Sequence, residues 1–308
     1  MIVTCMCMVW LLVGCTAKDN ISIKNTEFTI GVVTKAKDSE YWMSYISGLN
    51  NAARDFDVNV ILISPQTEKE ADVQRQMITD LLNKDIDAIA ISPIDSRDIS
   101  YIDIAQEKGI PIYATDSAYF DVDIPYIGYD NHKMGEDLAE ITAQYLKGNG
   151  SVGIISGSLT QAGHRERVEG FCGYLDEHSS IRTAFVIDGY SNLMLPETEI
   201  KELLDNNPDL GMIFVTNAVA ALGLADYLEE QESSIKICAM DAQQDAYEAV
   251  KNGRIMALAN HSGYENGYQT IRRITEIVRD HKELEETMLQ AEILTKENIY
   301  NYDLQGEP

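Results

Sequence analysis

From residue 27 onward, short apolar runs alternate with stretches in which apolar residues recur at helical spacing. FTIGVVT, VNVILIS, IDAIAIS and IPIYATD are near-continuous apolar runs that end in polar residues, the pattern of strands covered on both faces. Between them, EYWMSYISGLNNAARDF, EADVQRQMITDLLNK and RDISYIDIAQEKG carry helical periodicity. The second half repeats the scheme with SVGIISG, TAFVIDG, LGMIFVTN, IKICAMD and IMALANH as strands. Helices are predicted at about 131–147, 164–178, 196–206, 217–230 and 243–252, and a longer one at about 264–281. Repeated strand–helix–strand units with short connections predict an α/β protein of two doubly wound parallel sheets. The strand pattern alone would divide them once, near residue 129.

Open parallel sheets bind ligands beyond the carboxyl ends of their strands. Those ends are Lys35 to Ser39, Ser64 to Gln66, Ser92 to Asp95, Asp116 to Ser117, Gly157 to Gly163, Asn217, Asp241 and His261. Nearly all are polar, as loops and helix caps commonly are, but the set converges from both sheets.

Composition narrows the function. The chain has 308 residues, 45% of them apolar, enough for two cores. Fifty acidic residues against 24 basic ones give a net charge of −26, which argues against nucleic acid as a partner. GNGSVG at 148–153 follows a helix and leads into a strand, the reverse of a dinucleotide fingerprint, and reads as a linking turn. There is no P-loop, no nucleophile elbow in GSLTQ, no H-E-x-x-H, and no EF-hand register around Asp205, Asn206 and Asp209. No catalytic constellation, metal set or cofactor motif is present in the sequence. Cys172 and Cys238 read as buried free thiols.

The first 15 residues, MIVTCMCMVWLLVGC, are apolar and give way abruptly to TAKDN. Their length suits a signal h-region rather than a membrane span. LVGC resembles a bacterial lipobox, which implies a signal peptide at 1–14, acylation of Cys15 and a tether at 15–26, with the membrane reached through the lipid anchor only.

KDSEYW, ISPIDSRD, GIPIYATDS, IGYDNHKMGE, GHRERVEGF, VTNAVAALG, AMDAQQDAYEAVKNG and HSGYENGY follow one another in the order found in ribose-type periplasmic sugar-binding proteins, the solute receptors of ABC importers. The resemblance covers about residues 27–300. It implies a periplasmic-binding-protein type I fold, two lobes joined by crossover hinge strands that close on a ligand. Lobe 1 would comprise 27–128 plus 257–284, and lobe 2 would comprise 129–256 plus 285–303. The implied ligand residues are Asp38, Ser39, Tyr41, Trp42, Ser92, Asp116, Ser117, Arg165, Tyr190, Asn217, Asp241 and His261. Within RER, the resemblance puts Arg165 in the cleft on sugar oxygens and leaves Arg167 a structural role among neighbouring carboxylates. Tyr41 and Trp42 would stack on the sugar's apolar face. Ser117 stands where ribose binders have an arginine, and His261 where a glutamine is usual. The expected protein is a monomer that binds a monosaccharide or polyol and hands it to an ABC permease, or alternatively signals to a membrane sensor kinase. A transcriptional regulator would require a helix-turn-helix ahead of the first strand, where the residues read as a leader.

Overall fold

The computed structural model describes residues 28–189, 195–241, 243–282 and 287–301. The leader, the tether with Cys15, and Tyr190 lie outside the described residues. The chain runs β1 (Thr29–Val33), α1 (Glu40–Asp55), β2 (Asn59–Ile63), α2 (Ala71–Leu82), β3 (Ala88–Ile91), α3 (Ile102–Lys108), β4 (Ile112–Thr115) and β5 (Tyr126–Tyr129). It continues through α4 (Asn131–Tyr145), β6 (Asn149–Ser156), α5 (Ala162–His178), β7 (Ser180–Asp188), α6 (Glu197–Asn206), β8 (Leu210–Val215), α7 (Ala218–Glu230), β9 (Lys236–Met240), α8 (Gln244–Asn252) and β10 (Ala257–Ala259). The last elements are α9 (Gly263–Asp280), β11 (Thr287–Leu289), β12 (Ile293–Thr295) and a 3-10 turn at Ile299–Asn301.

These strands form two six-stranded sheets, ordered β11-β5-β4-β3-β1-β2 and β12-β10-β9-β8-β6-β7. All pairings are parallel except that of β12 with β10. In both sheets the first strand lies one in from the edge, with the second strand on its outer side and the third on its inner side. The winding reverses there, which places a switch point at the carboxyl ends of β1 and β6. Each sheet is covered on both faces, which explains why the inner strands are continuously apolar. In lobe 1, Trp42, Tyr45 and Leu49 of α1 pack with Ile271 and Ile274 of α9 on one face. Leu81 and Leu82 of α2 and Tyr101 pack on the other. In lobe 2, Phe171 of α5 stacks on Phe214 of β8 with ring centroids 4.5 Å apart. The helix pairs α1–α9 and α4–α5 approach backbone to backbone: a Cβ at Gly48 would lie 2.0 Å from the Tyr264 carbonyl oxygen, and one at Gly170 would lie 2.0 Å from that of His132.

The chain crosses between lobes at Asp130, at 260–262 and at 290–292. This corrects the expected boundaries in three places. Tyr129 and β11 belong to lobe 1, and β10 belongs to lobe 2. Each crossing strand completes its ladder before the chain leaves. Backbone bonds from Asp130 N to Leu289 O (3.2 Å) and from Asn260 N to Glu292 O (2.8 Å) then tie the crossovers together. The strands β5, β11 and β12 are only three or four residues long and were absent from the sequence reading. The 148–153 segment is the expected turn into a strand, with Lys147 and Gly148 at positive φ. Among the described residues both cysteines are free, Cys238 buried and Cys172 half-buried. Burial pushes the Cys238 thiol up to about 12.

Candidate functional site

The lobes enclose a cavity of about 210 Å³, below the 300–1,000 Å³ typical of drug-sized ligands and suited to something smaller. Its two opposed carboxylates, Asp116 after β4 and Asp241 after β9, both adopt left-handed backbone, with φ of 62° and 67°. That region is rare for side-chain-bearing residues and Asp is among those that tolerate it. At Asp116 the strand ends in a tight turn, with Ser117 N donating to Thr115 O at 2.7 Å. The turn redirects the carboxylate from the sheet into the cleft.

Asp116 is already well supplied with donors. Tyr41 Oη donates to its Oδ1 at 2.6 Å, while Ser92 Oγ at 3.0 Å and Lys35 Nζ at 2.7 Å reach Oδ2. Burial opposes ionisation, but the charge of Lys35, with the hydrogen bonds from Lys35 and Tyr41, outweighs it and holds the carboxyl well below the usual range. Lys35 also donates to Ser117 Oγ at 2.7 Å. A lysine at the end of β1 therefore supplies lobe 1 with a buried cation beside Ser117. Sequence reasoning placed Lys35 among the strand ends without giving it a role.

His261, on the crossover between β10 and α9, lies between the two carboxylates. Its Nδ1 is 2.9 Å from Asp241 Oδ1, and its Nε2 is 3.3 Å from Tyr41 Oη. Burial and the neighbouring Arg167 lower its pKa against the opposing pull of Asp241. The neutral ring donates through Nδ1–H to Asp241. Its face stacks on Tyr41, centroids 4.8 Å apart and planes 11° apart. That face of Tyr41 is therefore occupied by histidine. Trp42 packs edge-on against Tyr41 and donates Nε1–H to Glu68 Oε1 at 2.9 Å.

The two arginines of RER exchange the places expected of them. Arg167 is 5% exposed and lines the cavity. Its Nε donates to Asn131 Oδ1 and its Nη1 to Thr216 O, each at 2.8 Å, with Asp241 Oδ1 4.0 Å from Nη1. Arg165 is 43% exposed in its side chain and does not line the cavity. Its guanidinium lies 3.4 Å from the centroid of the Phe120 ring, on the far lobe, and 3.7 Å from Glu169. Helix α5 begins at Ala162 rather than 164, and residues two apart on a helix point about 200° apart. One of the pair had to face away, and the helix's rotation selects Arg167.

The remaining expected residues divide as follows. Ser39 and Asn217 line the cavity and also cap α1 and α7, accepting from Trp42 N and Ala220 N. Asp38 stands exposed at the rim. Ser92 is fully buried behind Asp116 rather than on the wall. The structure adds Glu68, whose Oε2 accepts from Gln161 Nε2 of the opposite lobe at 3.0 Å. It also adds His164, whose Nδ1 lies 2.7 Å from Thr216 Oγ1. Because Thr216 Oγ1 already accepts from Gly157 N at 2.9 Å, its hydroxyl proton is available to His164. Burial, then Arg167 and Lys35, hold His164 well below its ordinary pKa, so it too is neutral.

Comparison with known proteins agrees with this geometry. The family described as periplasmic binding protein domain matches residues 30–282. The ribose import binding protein of Bacillus subtilis is 26% identical over 256 residues, 80% of this chain and 83% of that protein. A periplasmic solute-binding protein of an ABC transporter from Actinobacillus succinogenes, solved with bound D-allose, superposes with a TM-score of 0.80 at 21% identity, covering 90% of this chain and 100% of the other. The XylFII–LytSN complex matches with a TM-score of 0.76 at 22% identity, covering 87% and 98%. The chain belongs to the periplasmic binding protein family and, within it, to the ribose-type sugar-binding group.

Proposed function

We propose that this chain is an extracytoplasmic receptor for an uncharged monosaccharide or polyol, anchored through Cys15 and delivering its ligand to an ABC importer. The observation that carries the ligand class is the charge balance inside the closed cleft. With both histidines neutral, the fully buried part of the wall holds two cations, Lys35 and Arg167, against two carboxylates, Asp116 and Asp241, while the half-buried Glu68 carboxylate is engaged by Trp42 and Gln161. An anionic or cationic ligand would bring an uncompensated charge into this space, which costs several kcal/mol. A polyhydroxylated ligand both donates and accepts, and so suits a wall of carboxylates, guanidinium, amide and imidazole N–H. The family is one of binding proteins.

A thermal-shift screen of the soluble domain against neutral pentoses, hexoses and polyols, with aldonates and uronates alongside, tests the reading. A neutral ligand at a hundred times its Kd should stabilise by about 2.7 kcal/mol. Stabilisation by the sugar acids alone, or by no member of the panel at millimolar concentration, would refute it. The anchor has its own test: Cys15→Ser should shift the protein from the membrane fraction to the medium or leave an unprocessed precursor. Unchanged fractionation and processing would remove the anchor.

A second reading, that the ligand-bound receptor signals to a membrane sensor, draws on the similarity to XylFII, which has been solved in complex with LytSN. Crosslinking of the ligand-loaded chain in membranes separates the two by the partner captured, a permease or a sensor.

A further inference from the structure

The first amides of a helix need acceptors from outside the helix. At the cleft, α1, α7 and α9 supply their own, from Ser39, Asn217 and Ser262. Helices α5 and α8 of lobe 2 do not. Their N-cap residues, Gln161 and Gln243, make no side-chain cap bond. Their acceptors come from lobe 1. Ala162 N donates to Ser96 Oγ at 2.8 Å, Gly163 N donates to Ser117 Oγ at 3.3 Å, and Gln244 N donates to Glu40 Oε1 at 3.2 Å.

Ser96 and Ala162 are fully buried, and the bonds around them join half-buried residues of both lobes. Ser96 N donates to Thr160 O at 3.0 Å, and Phe120 N donates to Ser96 O at 3.1 Å. Thus the loop after β3 that caps α5 is bonded to the loop after β4 that carries the ring under Arg165. Glu40 meets α8 elsewhere along the lobe interface, on a helix that Ser96 does not touch.

We propose that lobe 1 caps α5 and α8 of lobe 2 in trans, so that Ser96 and Glu40 set ligand affinity by favouring the closed state without touching ligand. The proposal rests on the receptor reading for its affinity arm but not for its closure arm. Helix α5 carries His164 and Arg167 into the cavity, and the cap forms only when the lobes are together. Parting the lobes strips both helices of side-chain acceptors at once, and closure restores them. The caps therefore lower the cost of closing the ligand-free chain, and apparent affinity rises with the fraction of chain that is closed.

The test uses Ser96→Ala, Glu40→Ala and the double variant in the full chain. Hydrogen-exchange mass spectrometry of ligand-free protein should show Ser96→Ala accelerating exchange in 160–166 and also in 243–248, which Ser96 does not contact. Glu40→Ala should do the reverse. Each variant should weaken every ligand found in the sugar panel by the same factor, up to about tenfold, and the double variant should weaken it more than either single change. Acceleration confined to the segment next to each substitution, or no change in exchange, overturns the proposal, as does unchanged affinity. Coupled acceleration with no sugar bound at all would leave trans capping standing and refute the receptor reading instead.

Discussion

Arg167→Ala should weaken ligand binding by about ten- to a hundredfold, the range expected for losing a hydrogen bond from a charged donor, about 1.5–3 kcal/mol. The same change should lower the melting temperature, because it strands Asn131 Oδ1 and the Thr216 carbonyl, both now satisfied by the guanidinium. Lysine should not rescue it. One ammonium cannot reproduce a planar fork that reaches Asn131, Thr216 and the Asp241 side of the cavity together. Arg165→Ala should cost only about two- to fivefold, the loss of an exposed cation–π contact. Calorimetric titration of both variants alongside their melting curves decides the matter. Comparable affinity losses at the two positions, or a larger loss at Arg165, would return the cleft role to Arg165.

Lys35→Met should destabilise the protein by about 3–5 kcal/mol at pH 7, since it leaves the Asp116 carboxylate buried without its cation. The pH dependence carries the sign of the effect. In the native protein the Asp116 pKa is depressed. Its contribution to stability is present above the unfolded value of about 3.9 and is lost as pH falls through the lower folded value. Without Lys35, burial becomes the dominant influence and the folded pKa rises above the unfolded one. The deficit of the variant should therefore be full at neutral pH and shrink as acid protonates Asp116. Denaturant melts between pH 4 and pH 8 read this directly, and Lys35→Met combined with Asp116→Asn should recover much of the loss at pH 7. A deficit that stays constant with pH, or that the double variant does not relieve, would show that Lys35 serves some other purpose.

The architecture was legible because its signal repeats. Strands covered on both faces are unbroken apolar runs, helices alternate with them, and ligand-facing residues fall where those runs end. Asp116, Ser117, Asn217, Asp241 and His261 were found that way, and the structure gathers them around one cavity. What stayed hidden was information that periodicity does not hold. The strands β5, β11 and β12 are too short for a period to register. The choice between Arg165 and Arg167 depends on where α5 begins and how it is rotated, which is set by contacts at Ala162 and Gly163 with the other lobe. Glu68 sits in an aperiodic loop, and its tie to Gln161 exists only in three dimensions. The resemblance puts an arginine at the position of Ser117; that Lys35, 82 positions away, places a cation beside it was not visible in the sequence.

The crossings bear on the order in which the molecule can be made. Lobe 1 takes its cover for Trp42, Tyr45 and Leu49 from α9 and its last strand from β11. A nascent chain that has released all of β1 to β5 from the ribosome still lacks that helix, and its aromatic face remains open to water or to a chaperone. Lobe 2 waits for β12, only four residues beyond β11. Although their first strands are synthesised more than a hundred residues apart, both lobes reach completion almost together, once β11 and β12 have emerged. Folding of either lobe ahead of the other, the usual habit of chains whose domains follow one another in sequence, is denied to this one by its connectivity.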